Sequence, residues 1–349
     1  MSDGSREVGG CYVSASRATR HVSPVTVRER GATLVELMFG AAIAMVVMGA
    51  GYTVLNGSQK AASTNSQTAE MQQSARVAME LLTQDLKTAG FGMSGPVGNC
   101  ASAIVPADNT PGGADVGPDS VSVVVPTLLS TLAAQVTGGP TANAITLQSG
   151  AVAAMTPDGF GVGAAVSING ALPGTVSGLA GDVLTLGNTV GAPTVFPAGT
   201  PVFWLRCITY AIGTTTAACA GSAPCLLRGG VAIAEGIEDL QIAYACDGCN
   251  GTASDGVIDD QNASNTFDAA DFISNSTWTT SPMTPDTIRL VRISIVAMQT
   301  HNDQKWSSTA PIVAEDHNPT NNQGFSLGTY QQSRRRLLTR TVQVRNLGL

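Results

Sequence analysis

The stretch that decides the fold reads Arg28-Glu29-Arg30-Gly31-Ala32-Thr33-Leu34-Val35-Glu36-Leu37-Met38-Phe39, followed by an apolar run that lasts to Leu55. Leu37 to Leu55 is 19 positions without a charge. At 1.5 Å per residue that is ~28 Å of helix, close to the thickness of a hydrocarbon core. The segment before it sets Arg6, Arg17, Arg20, Arg28 and Arg30 against Asp3, Glu7 and Glu29, a net of +2. The positive-inside rule therefore keeps residues 1–31 in the cytoplasm and sends the C-terminus out. A cleaved signal peptide would place a small-residue cleavage site after the apolar run. Gly57-Ser58-Gln59-Lys60 offers no Ala-x-Ala there, so the run is expected to stay in the mature chain.

Glu36 is the costly residue in this stretch. An ionised carboxylate at a membrane helix centre costs about 2.5–3.5 kcal/mol on insertion scales, and less near the interface. It reads either as an interfacial residue of a plain anchor or as half of an ion pair. Were the chain cut after Gly31, Ala32 would become a free amino terminus one helical turn from Glu36. The amine and the carboxylate could then neutralise each other between neighbouring subunits.

Outward from this stretch, proline is absent from 32 to 89. Met71, Ala75, Ala78, Leu82, Leu86 and Ala89 recur every three or four residues, the stripe of an amphipathic helix. Arg76 and Glu80 are spaced for an i,i+4 pair, and Gly90 is a natural C′ stop. The expected organisation is a leader (1–31), a hydrophobic membrane helix (32–56), its amphipathic continuation (57–90) and a β-rich head (91–349). The whole chain has 349 residues, 39 of them Gly and 17 Pro, too many turn-formers for an all-helical protein. Strands are expected at 120–125, 144–147, 182–186, 202–205, 240–244, 288–296 and 338–344. In the 288–296 run the apolar face shifts by one at Leu290-Val291, which suggests a bulge. Hairpins without intervening helices favour an antiparallel α+β fold. Residues 246–285, rich in Asp, Asn, Ser and Thr, read as a long surface loop.

Arg-Glu-Arg-Gly31 followed by Ala32-Thr33-Leu34-Val35-Glu36-Leu37-Met38 resembles the class III signal of type IV pilins and pseudopilins. Leu86-Lys-Thr-Ala-Gly90-Phe91, Cys225-Leu-Leu-Arg228, Gly236-Ile-Glu-Asp-Leu-Gln-Ile-Ala-Tyr244, Val291-Arg-Ile-Ser-Ile295 and Val342-Gln-Val-Arg345-Asn346 resemble the PilW-like minor pilins of type IV pili. The resemblance implies a pilin-like fold, a long N-terminal helix packed on a β-rich head. It implies cleavage between Gly31 and Ala32 by the prepilin peptidase, N-methylation of Ala32 and an assembly role for Glu36. It further implies a subunit that waits in the inner membrane with its head in the periplasm. From there it would prime pilus assembly with other minor and major pilins, near the tip and beneath a tip adhesin. The J-type minor pseudopilin of a type II secretion system shares the same N-terminal signal, and a DNA- or ligand-binding tip module is a third reading.

Cys11 would leave with the leader, so the mature chain keeps Cys100, Cys207, Cys219, Cys225, Cys246 and Cys249. An even number in an exported head implies disulfides, with Cys246 and Cys249 expected to join each other and the remaining connectivity open. A redox pair at Cys246-Asp-Gly-Cys249 would want a βαβ context, and a zinc site a second matched pair. Neither is present in the sequence. Asp247, Asn250, Asp255, Asp259 and Asp260 are oxygen ligands of the kind calcium takes, but their spacing is not that of an EF-hand, so a solvated loop is expected and no metal. Arg334, Arg335, Arg336, Arg340 and Arg345 form a basic cluster without interleaved aromatics, on a chain of net charge −7. That argues for a charged strand edge rather than a nucleic-acid surface. With three histidines far apart (His21, His301 and His317) and no nucleophile motif or phosphate loop, neither catalysis nor a cofactor is expected.

Overall fold

A computed structural model of the chain describes residues 33–139, 142–190, 194–219, 224–251, 253–301, 306–307 and 310–346. Gly31, Ala32 and the leader with Cys11 lie outside the described residues. Helix α1 spans Leu34–Thr88 without interruption, as the absence of proline requires. Thr33 starts it: its Oγ1 accepts the backbone N–H of Glu36 at 3.3 Å, an N-cap contact. Gly90 ends it at φ +76°, a conformation that a side chain would strain. A Cβ at that position would also stand 2.6 Å from the Cβ of Ala103. The Gly90 N–H donates to the Val124 carbonyl at 3.0 Å and ties the helix end to the sheet.

The chain divides into two compact units between Gln59 and Lys60. In the first, the side chains of the apolar run are exposed, Leu37 at 68% and Met48 at 73%. This is the one stretch among the described residues that is long and apolar enough to cross a membrane. In the second, Met71, Ala75, Ala78, Met79, Leu82 and Leu86 of α1 are buried in the head. That is the stripe visible in the sequence, and each fully buried Leu contributes about 1.5–3 kcal/mol.

The strands among the described residues are, in chain order, β1 (Ile104–Ala107), β2 (Ser120–Thr131), β3 (Val136–Thr137), β4 (Ala144–Thr146), β5 (Ala165–Ile168), β6 (Leu172–Ala180), β7 (Val183–Leu186), β8 (Val195–Phe196), β9 (Pro201–Gly213), β10 (Cys225–Arg228), β11 (Val231–Glu235), β12 (Ile237–Cys246), β13 (Ile288–Met298) and β14 (Arg335–Gln343). Every strand pairing is antiparallel. One sheet follows the order β1-β2-β9-β5-β6-β7-β4, with β10 pairing β9 and β11 pairing β10. Strand β9 organises it: β2 runs along one edge, while β5 and β10 share the other. A second sheet has the order β12-β13-β14, and β3 pairs with β8 alone.

The head holds two main cores rather than one. The larger gathers the buried face of α1, Val121, Val123 and Val125 of β2, Ile208 and Tyr210 of β9, and the inward residues of β12 and β13. The other gathers Leu129, Ile145, Phe160, Ile168, Leu184 and Trp204, all from residues 129–204.

The strands read from sequence are present, most of them longer than their apolar runs suggested. A bulge does occur in β13, but one residue earlier than read. Ala245 pairs with Leu290 and Cys246 with Ile288, so Arg289 is the extra residue. Glu80 does not serve Arg76; its carboxylate accepts from Arg340 of β14 at 2.9 Å. A partner across the tertiary fold has displaced the local helix pair.

Beyond Cys246, the end of β12, the described residues to 285 form no strand and many are exposed, as expected, but the segment also has buried residues of its own. Asp247, Cys249, Asp271 and Trp278 in it are buried. Tyr244 and Ile273 exchange backbone hydrogen bonds of 2.9 Å, so the segment covers part of the free edge of β12. Residues 108–119 cover another part: the Asp119 N–H donates to Leu240 O at 2.8 Å and its carboxylate accepts from Ile242 N at 3.0 Å. An open strand edge is thereby closed.

Candidate functional site

Several places in the described chain concentrate charge, and they do different things. The first is the start of α1. Glu36 stands three residues after its N-cap Thr33, among the exposed side chains of Leu34, Val35, Leu37 and Met38. Thr-x-x-Glu is also the spacing of a capping box. The carboxylate therefore sits in the first turn of α1.

The second joins α1 to the head. Asp85 is buried, and its Oδ2 accepts from Tyr210 Oη at 2.6 Å and from Arg228 Nε at 2.8 Å. Arg228 Nε also lies 3.0 Å from Tyr210 Oη, closing a triangle of helix, β9 and β10. Burial pushes the Tyr210 phenol up, and the Asp85 charge beside it pushes further, so it stays a neutral donor. Burial opposes the Arg228 charge, but the Asp85 carboxylate outweighs it and holds the guanidinium above its usual value. Asp85 was not singled out in the sequence, because a lone Asp on a helix shows nothing of partners 125 and 143 residues away.

The third is the acidic surface, and it differs from the sequence expectation. Every carboxylate of the 247–271 segment whose contacts are resolved faces backbone amides. Asp259 Oδ2 accepts from the N–H groups of Gly248, Cys249 and Asn250 at 3.0, 2.8 and 3.2 Å. Asp247 accepts from Asp255 and Gly256 N–H and lies 3.3 Å from Arg289. Asp260 accepts from Asn262, Ser264 and Asn265 N–H. Burial works against the Asp247 and Asp260 charges, yet these hydrogen bonds prevail and hold both carboxyls below the usual range. Asn250 and Asp255 belong to the same turns. Cys246 and Cys249 are joined to each other, so they present no thiolates to zinc. Cys100 is joined to Cys207 and Cys219 to Cys225.

A tighter cluster lies elsewhere, in the connection between β1 and β2. Asp108, Asp115 and Asp119 each bring a carboxylate oxygen within 4.8 Å of the others. Asp119 Oδ1 accepts from Asn109 N at 3.0 Å, and Asp108 Oδ1 and Asp115 Oδ1 both accept from Thr110 N, at 2.7 and 2.9 Å. Burial pushes the Asp119 carboxyl up to about 8 despite its two backbone hydrogen bonds. Burial, then the charges of Asp316 and Asp108, push Asp115 up to about 6. His317 borders the cluster through a bridge between its backbone and that of Asp115. Its Nδ1 lies 2.7 Å from Asp239 Oδ2; burial opposes its charge, but this contact raises it to about 9. The Asp108-x6-Asp115-x3-Asp119 spacing among Gly and Pro is the signal for it in the sequence.

Three of the five C-terminal arginines are engaged within the fold. Arg335 pairs with Glu238 and stacks on the Tyr330 ring, Arg340 pairs with Glu80, and Arg334 lies 4.1 Å from the centre of the Trp306 ring. Arg336 lies with Arg335 and Arg340 on β14, the outer strand of its sheet, and Arg345 follows that strand.

Residues 210–346 match the PilW family, type IV pilus-assembly protein W. Over these residues the chain is similar to that family, which supports a PilW-like part in type IV pilus assembly. The match begins at Tyr210 and includes Arg228, so two members of the Asp85 triangle fall inside it. It also covers β10 to β14 and the 246–285 segment. The acidic cluster falls before it, apart from the neighbouring Asp316 and His317. No curated protein and no solved structure matches the chain.

Proposed function

We propose that the chain is a minor pilin: a structural subunit, not a catalyst, that is trimmed by the prepilin peptidase after Gly31 and helps prime the type IV pilus near its tip. The single observation that carries this is the conjunction of the PilW match with an N-terminal helix whose first half is apolar and exposed. A helix that exposes Leu37, Met38, Phe39 and Val46 to its surroundings must be covered, first by lipid and then by the helices of other pilins in a fibre. Glu36 supports the same reading. In a packed helical core a carboxylate persists only if it is paired, and the amine of a trimmed Ala32 is the nearest cation that the sequence can supply. Before assembly the head would stand in the periplasm, where the three disulfides persist.

N-terminal sequencing of the chain isolated from membranes tests the processing step. The mature chain is expected to begin at Ala32, and Gly31→Arg is expected to leave the leader attached. A mature terminus beyond residue 55, with the apolar run removed, would overturn the reading.

A further inference from the structure

We infer that Asp108, Asp115 and Asp119 form a binding site for one divalent cation, calcium by its chemistry, in the connection between β1 and β2. Two observations independent of each other point there. The first is spacing: oxygens about 2.4 Å from one calcium ion can be at most about 4.8 Å apart, and the three carboxylates meet that limit. The second is an unpartnered buried oxygen. Asp115 is 0% exposed, its Oδ1 is taken by Thr110 N, and its Oδ2 has no hydrogen-bond partner among the described residues. Both carboxylate oxygens of neighbouring Asp316 are likewise buried and without a partner there. A buried carboxylate oxygen left bare costs several kcal/mol unless a proton or a cation meets it.

The acidic 247–271 segment makes the contrast. Its carboxylates are turned to backbone N–H groups, which supply the positive partner that a cation otherwise would. In the 108–119 connection the amides reach one oxygen of Asp115 and leave the other. The nearby cation of the fold, His317, is already bound to Asp239 through Nδ1 and to Asn322 through Nε2 at 2.7 Å. Oxygen-only donors on an irregular Gly/Pro-rich connection suit calcium, which accepts variable geometry, better than magnesium, which demands a near-ideal octahedron. Bound there, the ion would fix the connection that closes the edge of β12.

The test is calorimetric titration of calcium chloride into the full chain in detergent, first stripped with EDTA, together with its thermal unfolding with and without calcium. One ion per chain is expected, with a midpoint that rises on calcium addition. Asp115→Asn, nearly isosteric, is expected to weaken binding at least tenfold and to lose the rise in midpoint. Asp119→Asn is expected to do the same, whereas Asp158→Asn, exposed and distant in sequence, should bind as the parent does. No heat and no change in midpoint for the parent chain would overturn the site. So would binding of unchanged strength in both Asp115→Asn and Asp119→Asn. Neither result depends on whether the chain enters a pilus.

Discussion

Asp85→Ala removes the carboxylate on which α1, β9 and β10 converge. The variant leaves the Arg228 Nε with only the Tyr210 hydroxyl oxygen as acceptor and the Tyr210 O–H without its carboxylate. Breaking a buried ion pair costs about 3–5 kcal/mol. Asp85 has 9% of its side chain exposed but Arg228 29%, so water recovers part of the guanidinium and the lower end, about 3 kcal/mol, is expected. Tyr210→Phe removes one hydrogen bond to a charged acceptor, about 1.5–3 kcal/mol. Because both changes strip the same oxygen, the double variant should lose less than the sum of the singles, with a coupling above 1 kcal/mol. The apolar triple variant Asp85→Leu, Arg228→Met, Tyr210→Phe should recover much of the loss, since no charge is then left bare. The assay is urea unfolding of the full chain in detergent, followed by near-UV circular dichroism. Strictly additive losses, or a loss below 1 kcal/mol for Asp85→Ala, would refute the idea that this triangle holds the helix to the head.

Cys100 and Cys207 are 107 residues apart, Cys246 and Cys249 only three. Chain-entropy arguments give the first bond about 5 kcal/mol and the second about 2, so the Cys100→Ala, Cys207→Ala double variant should lower the melting temperature more than Cys246→Ala, Cys249→Ala does. The 247–271 segment should loosen in acid. The folded-state carboxyls of Asp247, Asp260 and Asp268 lie below their usual value, so their contribution is present above about pH 4 and is lost as the pH falls through the folded-state values. Amide exchange at Asp255, Gly256 and Ser264 should then rise before exchange in β12 and β13. Protection that fades equally in the segment and the strands would contradict this.

What could be read from the chain follows the range of the forces involved. The helix was legible because its evidence is local: no proline, an apolar stripe at 3.6 residues and Gly90 at the end. Strand positions were legible for the same reason. The bulge at Arg289 was misplaced by one residue because an apolar pattern marks where a face changes but not which residue the partner strand skips. Glu80 was assigned to Arg76 since that pair is adjacent on one helix, whereas Arg340 arrives 260 residues later in the chain. The Asp85 triangle depends on such long-range meetings, with partners 125 and 143 residues away. The 246–285 segment reads as a solvated loop because composition counts carboxylates without showing what they face. In the fold they face their own backbone.

Glu36 and the exposed apolar helix are proposed to serve assembly with other pilins. The direct measurement is pilus number and recovery of partner minor pilins in a strain whose only change is Glu36→Ala. Insertion and cleavage should be unaffected, because neither requires the carboxylate. Assembly should fail, because the amine of Ala32 would be left unpaired in the packed core, a loss on the order of 3–5 kcal/mol. Normal piliation with normal recovery of partners would contradict the claim and leave Glu36 as the capping residue of a plain membrane anchor.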